Sequence, residues 1–251
     1  MSEELELILL REIEELKREL EKLKGEPISH VPTYQYSKIN FEDLENIFDI
    51  EYSEARTAFE DWFKNSIELS EDIITFLKEL LDKEGQYIEY YYEEDLKIKF
   101  ISIILNKINF TLKDKKIKDF YEAKLTYKTD KFILTGTIDY VVSRGLQRAK
   151  IPYFFIQEFK KSIKNDDPRP QLLAELVSAI ELNKFKSIKG AYVIGSIWNF
   201  VILEKLGENK YQYFVSENFD STKIGDLKGI YRNLLFVKDE IIKTVENFNH
   251  G

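Results

Sequence analysis

The sequence predicts an α/β protein in which a mixed central sheet is flanked by helices. Three runs rich in β-branched and aromatic residues, at 120–127, 131–142 and 152–160, follow one another and predict consecutive strands. A helical segment at 169–182 then precedes another strand at 190–196, which is typical of a crossover between parallel strands. With 251 residues, 43% of them hydrophobic, the chain has enough apolar side chains for a substantial core.

The first 25 residues predict an amphipathic helix with a narrow apolar seam. Its apolar positions repeat at 4-3-4-3 spacing, which gives an a/d pattern of about two heptads, and Gly25 and Pro27 end it. Such a helix is marginal alone and must pack on something. Either it docks on its own domain, or it forms a short coiled coil that makes the chain a homo-oligomer. The seam consists of Leu9, Ile13, Leu16, Leu20 and Leu23.

Residues 26–92 predict a helical region that packs on the core domain. A proline-containing linker at 28–35 leads to short helices at 40–49 and 52–65, and Ser70 caps a clearer helix that reaches residue 84. The tyrosine-rich segment 87–92 could stack nucleic-acid bases. A packed aromatic seam in front of the next helix is the favoured interpretation.

Residues 93–251 predict the core domain, beginning with a helix at 93–109. The three strands and the helix at 169–182 follow, and Asp167 and Pro168 predict that helix's start. After the strand at 190–196, an apolar run at 198–203 and a strand at 211–215 extend the sheet. An amphipathic helix at 222–248 ends the domain.

Composition excludes several classes of site. The chain has no cysteine and only two histidines, His30 and His250, so thiolate clusters and three-histidine metal sites are excluded. It has no long uncharged apolar run, and its start is acidic where a signal peptide would be basic. We therefore expect a cytoplasmic protein without a membrane partner.

Charge distribution also favours a local binding site. The net charge is −8, yet residues 144–189 carry ten Lys and Arg against five Asp and Glu. This basic excess coincides in sequence with the candidate catalytic residues.

Three charged residues on neighbouring strands form the candidate site. Glu158 and Lys160 leave one face of their strand because side chains alternate, and a hairpin would bring Asp139 alongside Glu158. Charges on an apolar strand need a partner, such as a metal ion or an opposite charge. The alternative is a solvated ion-pair ladder between strands. Two carboxylates and a lysine suit hydrolysis of a phosphodiester with Mg²⁺ or Mn²⁺.

The chain resembles the PD-(D/E)XK nuclease superfamily in four blocks that occur in the expected order. They read G-T-I-D-Y-V-V, P-Y-F-F-I-Q-E-F-K-K, Q-L-L-A-E-L-V-S-A and G-A-Y-V-I-G-S-I-W-N-F-V-I-L-E, with 18 residues between Asp139 and the E-x-K motif. They resemble a bacterial branch of the superfamily. The E-E-D-L-K-I-K-F-I run is similar to the opening helix of type I restriction subunit nuclease domains. Ile138 stands where the superfamily motif has proline.

The resemblance implies a restriction-endonuclease-like core with the N-terminal helices as an extension. Asp139, Glu158 and the Phe159 backbone carbonyl would bind the metal ion, with Glu93 or Glu94 as a further ligand. Lys160 would activate water, Gln171 would orient the reacting group, and Glu175 would hold Gln171 through an i,i+4 contact. The phosphate-contact candidates are Lys161, Lys164 and Arg169.

Two functions follow as alternatives. The favoured one is a metal-dependent nuclease, with DNA as the expected substrate. The other is a catalytically silent nuclease fold that binds or regulates protein partners through its N-terminal helices. The sequence has no helix-turn-helix, zinc-finger or phosphate-loop signature that would identify a target.

Overall fold

A curled, mixed sheet of nine strands with helices on both faces forms the centre of the computed structural model, which describes residues 31–160 and 167–248. The strand order is β1-β4-β5-β6-β7-β8-β2, with β3 beside β4 and β9 beside β7. This confirms the predicted mixed sheet between helices. The strands are β1 Thr33–Gln35, β2 Asp49–Tyr52, β3 Ile117–Lys128, β4 Ile133–Arg144, β5 Lys150–Lys160, β6 Ser187–Ile194, β7 Ile197–Gly207, β8 Lys210–Val215 and β9 Phe219–Asp220.

Six α-helical elements accompany the sheet in the described residues. The fourth is continuous but changes its winding, because an α-helical turn passes into a π-helical segment and back. Short 3₁₀ helices connect some of the other elements. The helices are α1 Phe41–Ile47, α2 Glu60–Phe63, α3 Glu71–Glu84, α4 (Glu93–Leu96, Lys97–Ile101 and Ser102–Ile108), α5 Pro168–Asn183 and α6 Ile224–Phe248.

The pairing of strands explains where the candidate residues lie. β3, β4 and β5 form an antiparallel meander, whereas β5 and β6 are parallel and are joined through α5. β5 therefore ends beside the end of β6, and α5 starts at the same end of the sheet. The charged end of β5 and the first turns of α5 are thus brought together.

The two sheet faces bury separate apolar clusters. α5 and α1 cover one face, where Ile156 and Leu173 are buried. Helices α3, α4 and α6 cover the other face, where Phe155 and Phe159 are buried. Side-chain alternation places Glu158 and Lys160 on one face of β5, and the structure shows that this is the face that α5 covers.

The region predicted as helical also contributes strands. β1 lies within the predicted linker and pairs with β4, while β2 interrupts the predicted helices and pairs with β8. The predicted helix at 52–65 is reduced to a 3₁₀ turn, Arg56–Phe59, and α2. Main-chain pairing with sheet edges outweighs local helix propensity here. The predicted 1–25 helix lies outside the described residues.

The tyrosine-rich segment is mostly exposed. Tyr87, Tyr90 and Tyr92 expose 49%, 76% and 73% of their surface, so a packed aromatic seam is wrong for these three. Ile88 is buried in their place, because the segment folds as the 3₁₀ helix Gly85–Tyr90 and turns one edge inward. None of the described helices is both long and apolar enough to cross a lipid bilayer.

Candidate active site

Three carboxylates lie side by side where the sheet ladder opens. Asp139 stands opposite Glu122 of β3 and Glu158 of β5. The pairing of β3 with β4 omits the Glu122–Asp139 pair, and the pairing of β4 with β5 ends just before the Asp139–Glu158 pair. Glu122 has a positive φ of 52°, which is uncommon for a residue with a side chain. The backbone is therefore irregular at the candidate site.

Side chains replace the missing ladder hydrogen bonds. The Phe159 amide donates to Asp139 Oδ2 at 2.9 Å, and the Asp139 amide donates to Glu158 Oε1 at 3.3 Å. Each carboxylate is thus held by the other's strand. Because the N–H and C=O of one residue leave an extended strand on the same side, the Phe159 carbonyl also faces this gap.

Lys97 of α4 is the central cation of the site, and the sequence analysis did not identify it. Its side chain is 10% exposed, and its Nζ lies 3.2 Å from Asp139 Oδ1, 3.3 Å from Glu122 and 3.4 Å from Glu94. Burial alone lowers the pKa of Lys97, but Asp139 and the other carboxylates outweigh burial and raise it. Lys97 is therefore a permanently charged ammonium group beside Asp139.

The π-helical segment of α4 begins at Lys97. A π-helical turn contains an extra residue and is often found at functional sites. Leu96, Phe100 and Ile101 are buried in the apolar core, and Ile98 is 65% exposed. Within this segment Lys97 contacts Asp139 while Leu96, Phe100 and Ile101 stay buried.

The start of α5 supplies the other side of the site. The Asp167 side chain accepts the Arg169 amide at 3.0 Å, and Pro168 follows it as the first helical residue. Gln171, in the first turn, donates to Glu175 Oε1 at 3.1 Å. Both side chains are buried, so the predicted i,i+4 contact is present.

Glu158 and Glu175 form a buried carboxyl pair. Burial, followed by the Glu175 and Asp139 charges, raises the pKa of Glu158 well above its usual range. Burial likewise raises the pKa of Glu175 to about 8. The two carboxyl groups lie next to each other, and within the described residues no hydrogen-bond partner reaches either Oε2 atom. Both groups therefore favour the neutral, protonated form more than exposed glutamates do.

Lys160 and Glu93 lie at the open side of this pair. The Lys160 ammonium partly offsets the effect of burial, which raises the pKa of both Glu93 and Glu175. Glu93 lies 3.9 Å from the Lys97 Nζ with its side chain 37% exposed, whereas the Glu94 side chain is 75% exposed. Of these two acidic candidates, Glu93 is the one that the fold directs to the site.

Of the three predicted phosphate contacts, Arg169 is the one that lies within the described residues. The Arg169 guanidinium binds Asp167 at 2.6 Å and lies over the Phe41 ring, so it is already engaged. Lys161 and Lys164 lie outside the described residues. Much of the basic excess in segment 144–189 lies at the other end of the sheet, because β4 and β5 meet there in their hairpin.

The donor atoms suit a hard divalent cation. The buried Glu158 Oε2 lacks a donor from elsewhere in the described chain, and Asp139 and the Phe159 carbonyl face the same gap. However, within 31–160 and 167–248 no three acidic or histidine side chains are spaced to hold a metal ion. A metal ion would therefore use two carboxylates and a carbonyl, and would share Asp139 with Lys97.

Sequence signals for the missed residues were weak. Lys97 falls between apolar residues on a helix, where a lysine is usually exposed, and Glu122 lies on a strand with alternating polarity. The one available signal for Lys97 was its place on the helix: Leu96, Phe100 and Ile101 predict the buried face, and Lys97 lies next to them.

Comparison of the chain with models of known protein families and with curated proteins gives no match.

Proposed function

We propose that this chain is a metal-dependent nuclease with a restriction-endonuclease-like core that hydrolyses phosphodiester bonds, with DNA as the substrate. The observation that carries the proposal is the reciprocal hold between Asp139 and Glu158 at the point where β4 and β5 separate. It supports the proposal because a structural ion pair does not require two carboxylates that bind each other's backbone. Lys160, Gln171 and Glu175 adjoin this pair, in the order that the sequence motif predicts.

Each residue then has a physical role in the proposed reaction. Asp139, Glu158 and the Phe159 carbonyl would hold Mg²⁺ or Mn²⁺, which supplies a bound water of lowered pKa and neutralises charge on the phosphate. Lys160 would orient the attacking water and stabilise the negative charge that develops on the phosphate oxygens. Gln171 fixes Glu175, which in turn positions Glu158. Lys97 holds the Asp139 carboxyl group in place through its hydrogen bond to Oδ1.

The test combines metal binding with cleavage. Wild-type protein and Glu158→Gln are titrated with Mn²⁺ by calorimetry, and each is incubated with supercoiled plasmid DNA and with labelled RNA. We expect Mn²⁺ binding and metal-dependent cleavage of DNA by the wild type, and loss of both in Glu158→Gln. Glu181→Gln, which changes a glutamate on the same helix as Glu175 but bound to Lys205 and Tyr211, is the matched control and should retain both.

Cleavage that persists in repurified Glu158→Gln would remove the assignment. So would a wild-type protein that binds no divalent ion in the presence or absence of DNA.

One observation favours the second function, a catalytically silent nuclease fold that binds partners. Lys97 already neutralises Asp139 from 3.2 Å, which is the role that a metal ion has in an active site. On this alternative the Lys97 ammonium replaces the metal ion permanently. Normal biological activity of Asp139→Ala, together with no Mn²⁺ binding, would select this function over the nuclease.

A further inference from the structure

The end of the sheet opposite the candidate active site is strongly basic. Three connections meet there: the turn before β3, the β4–β5 hairpin and the loop from α5 to β6. With a rise of about 3.3 Å per residue, Arg144 lies roughly 17 Å along β4 from Asp139. We call this surface the basic end, and it comprises Lys116, Arg144, Arg148, Lys150, Lys184 and Lys186.

The cations of the basic end are exposed, and the acidic side chains that line its depressions are Asp114 and Glu240. Within residues 31–160 and 167–248, none of these six side chains makes an ion pair. Nearby Lys189, in contrast, binds Glu240 at 2.7 Å. The whole chain carries a net charge of −8, so six cations without ion pairs on one surface make that surface positive in a protein that is negative overall.

The basic end is also concave. A depression of about 750 Å³ lies along the hairpin, and one of about 520 Å³ adjoins it through Lys116, Arg144 and Ile151. A third, of about 490 Å³, continues past Lys184 and Lys186. The cations therefore line a continuous surface and do not project separately into solvent.

The hairpin at the centre of this surface is held in place. The Gly145 amide donates to the Lys116 carbonyl at 2.7 Å, which joins the turn before β3 to the hairpin. Gly145 has a φ of 127°, and a Cβ atom there would lie 2.0 Å from the Arg148 carbonyl oxygen. Only glycine fits this position, so the turn places Arg144 and Arg148 reproducibly.

We propose that the basic end binds the phosphate backbone of a nucleic-acid duplex. Arginine and lysine side chains gain affinity from phosphates by releasing condensed counterions, and arginine can bind phosphate oxygens in a bidentate way. No aromatic side chain of the described chain lines the 750 Å³ depression, so unpaired bases have no stacking platform there. Phe154 and Phe185 line the two adjoining depressions, but Phe154 is buried and Phe185 is partly buried. A regular phosphate backbone is the partner that such a surface fits.

This inference deepens the proposed function, on which it rests for the choice of a nucleic-acid partner. The active site would cut one part of the substrate while the basic end holds the backbone roughly 17 Å away. At the candidate active site, Lys97 is already engaged by Asp139, Glu122 and Glu94, so it is not available to bind phosphates. Affinity for nucleic acid therefore depends on a second surface such as this one.

The test measures binding without catalysis. Fluorescence anisotropy of a labelled DNA duplex is recorded in EDTA, at several KCl concentrations, with the full chain and two double variants. Arg144→Glu/Arg148→Glu changes the basic end, and Lys128→Glu/Lys131→Glu changes the β3–β4 hairpin at the other end of the same strands by an equal charge. All four side chains are exposed, and circular dichroism verifies that both variants fold.

We expect Arg144→Glu/Arg148→Glu to weaken duplex binding at least about tenfold and to reduce the salt slope by about two. The Lys128→Glu/Lys131→Glu control should stay within about twofold of the wild type. An equal loss in both variants, or no duplex binding by the wild type at low salt, overturns the proposal. The proposal is also overturned if the wild type binds vesicles of anionic lipid as tightly as the duplex and Arg144→Glu/Arg148→Glu abolishes this vesicle binding.

Glu158→Gln separates this inference from the proposed nuclease. It should bind the duplex in EDTA as the wild type does, while losing cleavage. A wild type that binds through the basic end but does not cut DNA would refute only the nuclease. Cleavage that depends on Glu158, together with equal binding by both double variants, would refute only the basic end.

Discussion

Lys97 shows how one residue can set the electrostatics of the candidate site. It contacts Asp139 in a nearly closed environment and also reaches the partly exposed Glu93, Glu94 and Glu122. A buried charge without its partner is strongly destabilising, whereas an exposed pair contributes little. The Asp139 contact therefore accounts for most of the stabilisation that Lys97 provides.

Replacing Lys97 with methionine should destabilise the metal-free protein and strengthen metal binding. In EDTA, we expect the free energy of unfolding in urea to fall by about 3 kcal/mol, because the mostly buried Asp139 carboxyl group loses its cationic partner. Saturating Mn²⁺ should recover part of this loss, and calorimetry should show tighter Mn²⁺ binding because the competing ammonium is gone.

Lys99→Met on the same helix is the matched control. Lys99 binds Asp95 at 2.8 Å, but both side chains are considerably exposed, so the loss should be no more than about 1 kcal/mol and independent of Mn²⁺. Equal losses in the two variants would show that Lys97 is an ordinary surface lysine in solution.

Helix α5 positions the site through its first turn. Pro168 and Pro170 favour a helix start, and Asp167 caps the free amide of Arg169. Gln171 and Glu175 follow directly, so the position of this terminus determines where both side chains lie. Site geometry consequently depends on a local capping interaction.

Removing the cap should weaken the helix and the site together. We expect Asp167→Ala to lower the free energy of unfolding by about 1 kcal/mol and to weaken Mn²⁺ binding through Gln171 and Glu175. Asp167→Asn keeps a capping oxygen but loses the charge that pairs with Arg169, so it should retain most of the stability. Urea unfolding and calorimetry of the three proteins compare these effects. Equal destabilisation by both substitutions would assign the effect to the ion pair instead of the cap.

In the absence of metal, the whole molecule should become less stable as the pH rises, because the buried carboxyl groups of Glu158 and Glu175 lose their protons. Burial raises the pKa of Glu175 from 4.5 to about 8, so the folded chain keeps a proton that the unfolded chain releases. This stabilisation is complete below about pH 4.5 and is lost as the pH passes about 8. The raised pKa of Glu158 acts in the same direction.

Glu175→Gln tests this dependence. Relative to the wild type, its free energy of unfolding in EDTA should increase steadily between pH 5 and pH 8, because glutamine has no proton to lose. Urea unfolding at four pH values measures the difference. A difference that is the same at every pH would mean that Glu175 titrates normally in the folded protein.

Sequence patterns predicted much of the fold and part of the site. The order of β3, β4, β5, α5 and β6 follows from local periodicity, and the alternation along β5 predicted that Glu158 and Lys160 leave the same face of the strand. The pairing of Gln171 with Glu175 followed from helical spacing. These features depend on residues close in sequence, where backbone geometry alone fixes which side chains are neighbours.

The edge strands and the exposed tyrosines could not be predicted in the same way. β1 and β2 are short, and they form because β4 and β8 offer free backbone groups to them. Tyr90 and Tyr92 resemble core residues by composition. Their exposure depends on how the 3₁₀ turn before α4 meets the rest of the molecule.

By itself, the sequence determined the order of the core elements, and it limited the candidate site to carboxylate, lysine and hydroxyl side chains as catalytic groups, since cysteine is absent and histidine scarce. Only the tertiary structure decided that Lys97 and Glu122 join Asp139, and that Arg144 and Arg148 gather with other cations at the opposite end. The reason is that periodicity identifies which face of an element is buried. The contact between Lys97 and Asp139, which are far apart in sequence, depends instead on the π-helical segment at Lys97 and on the interrupted strand pairing at Asp139.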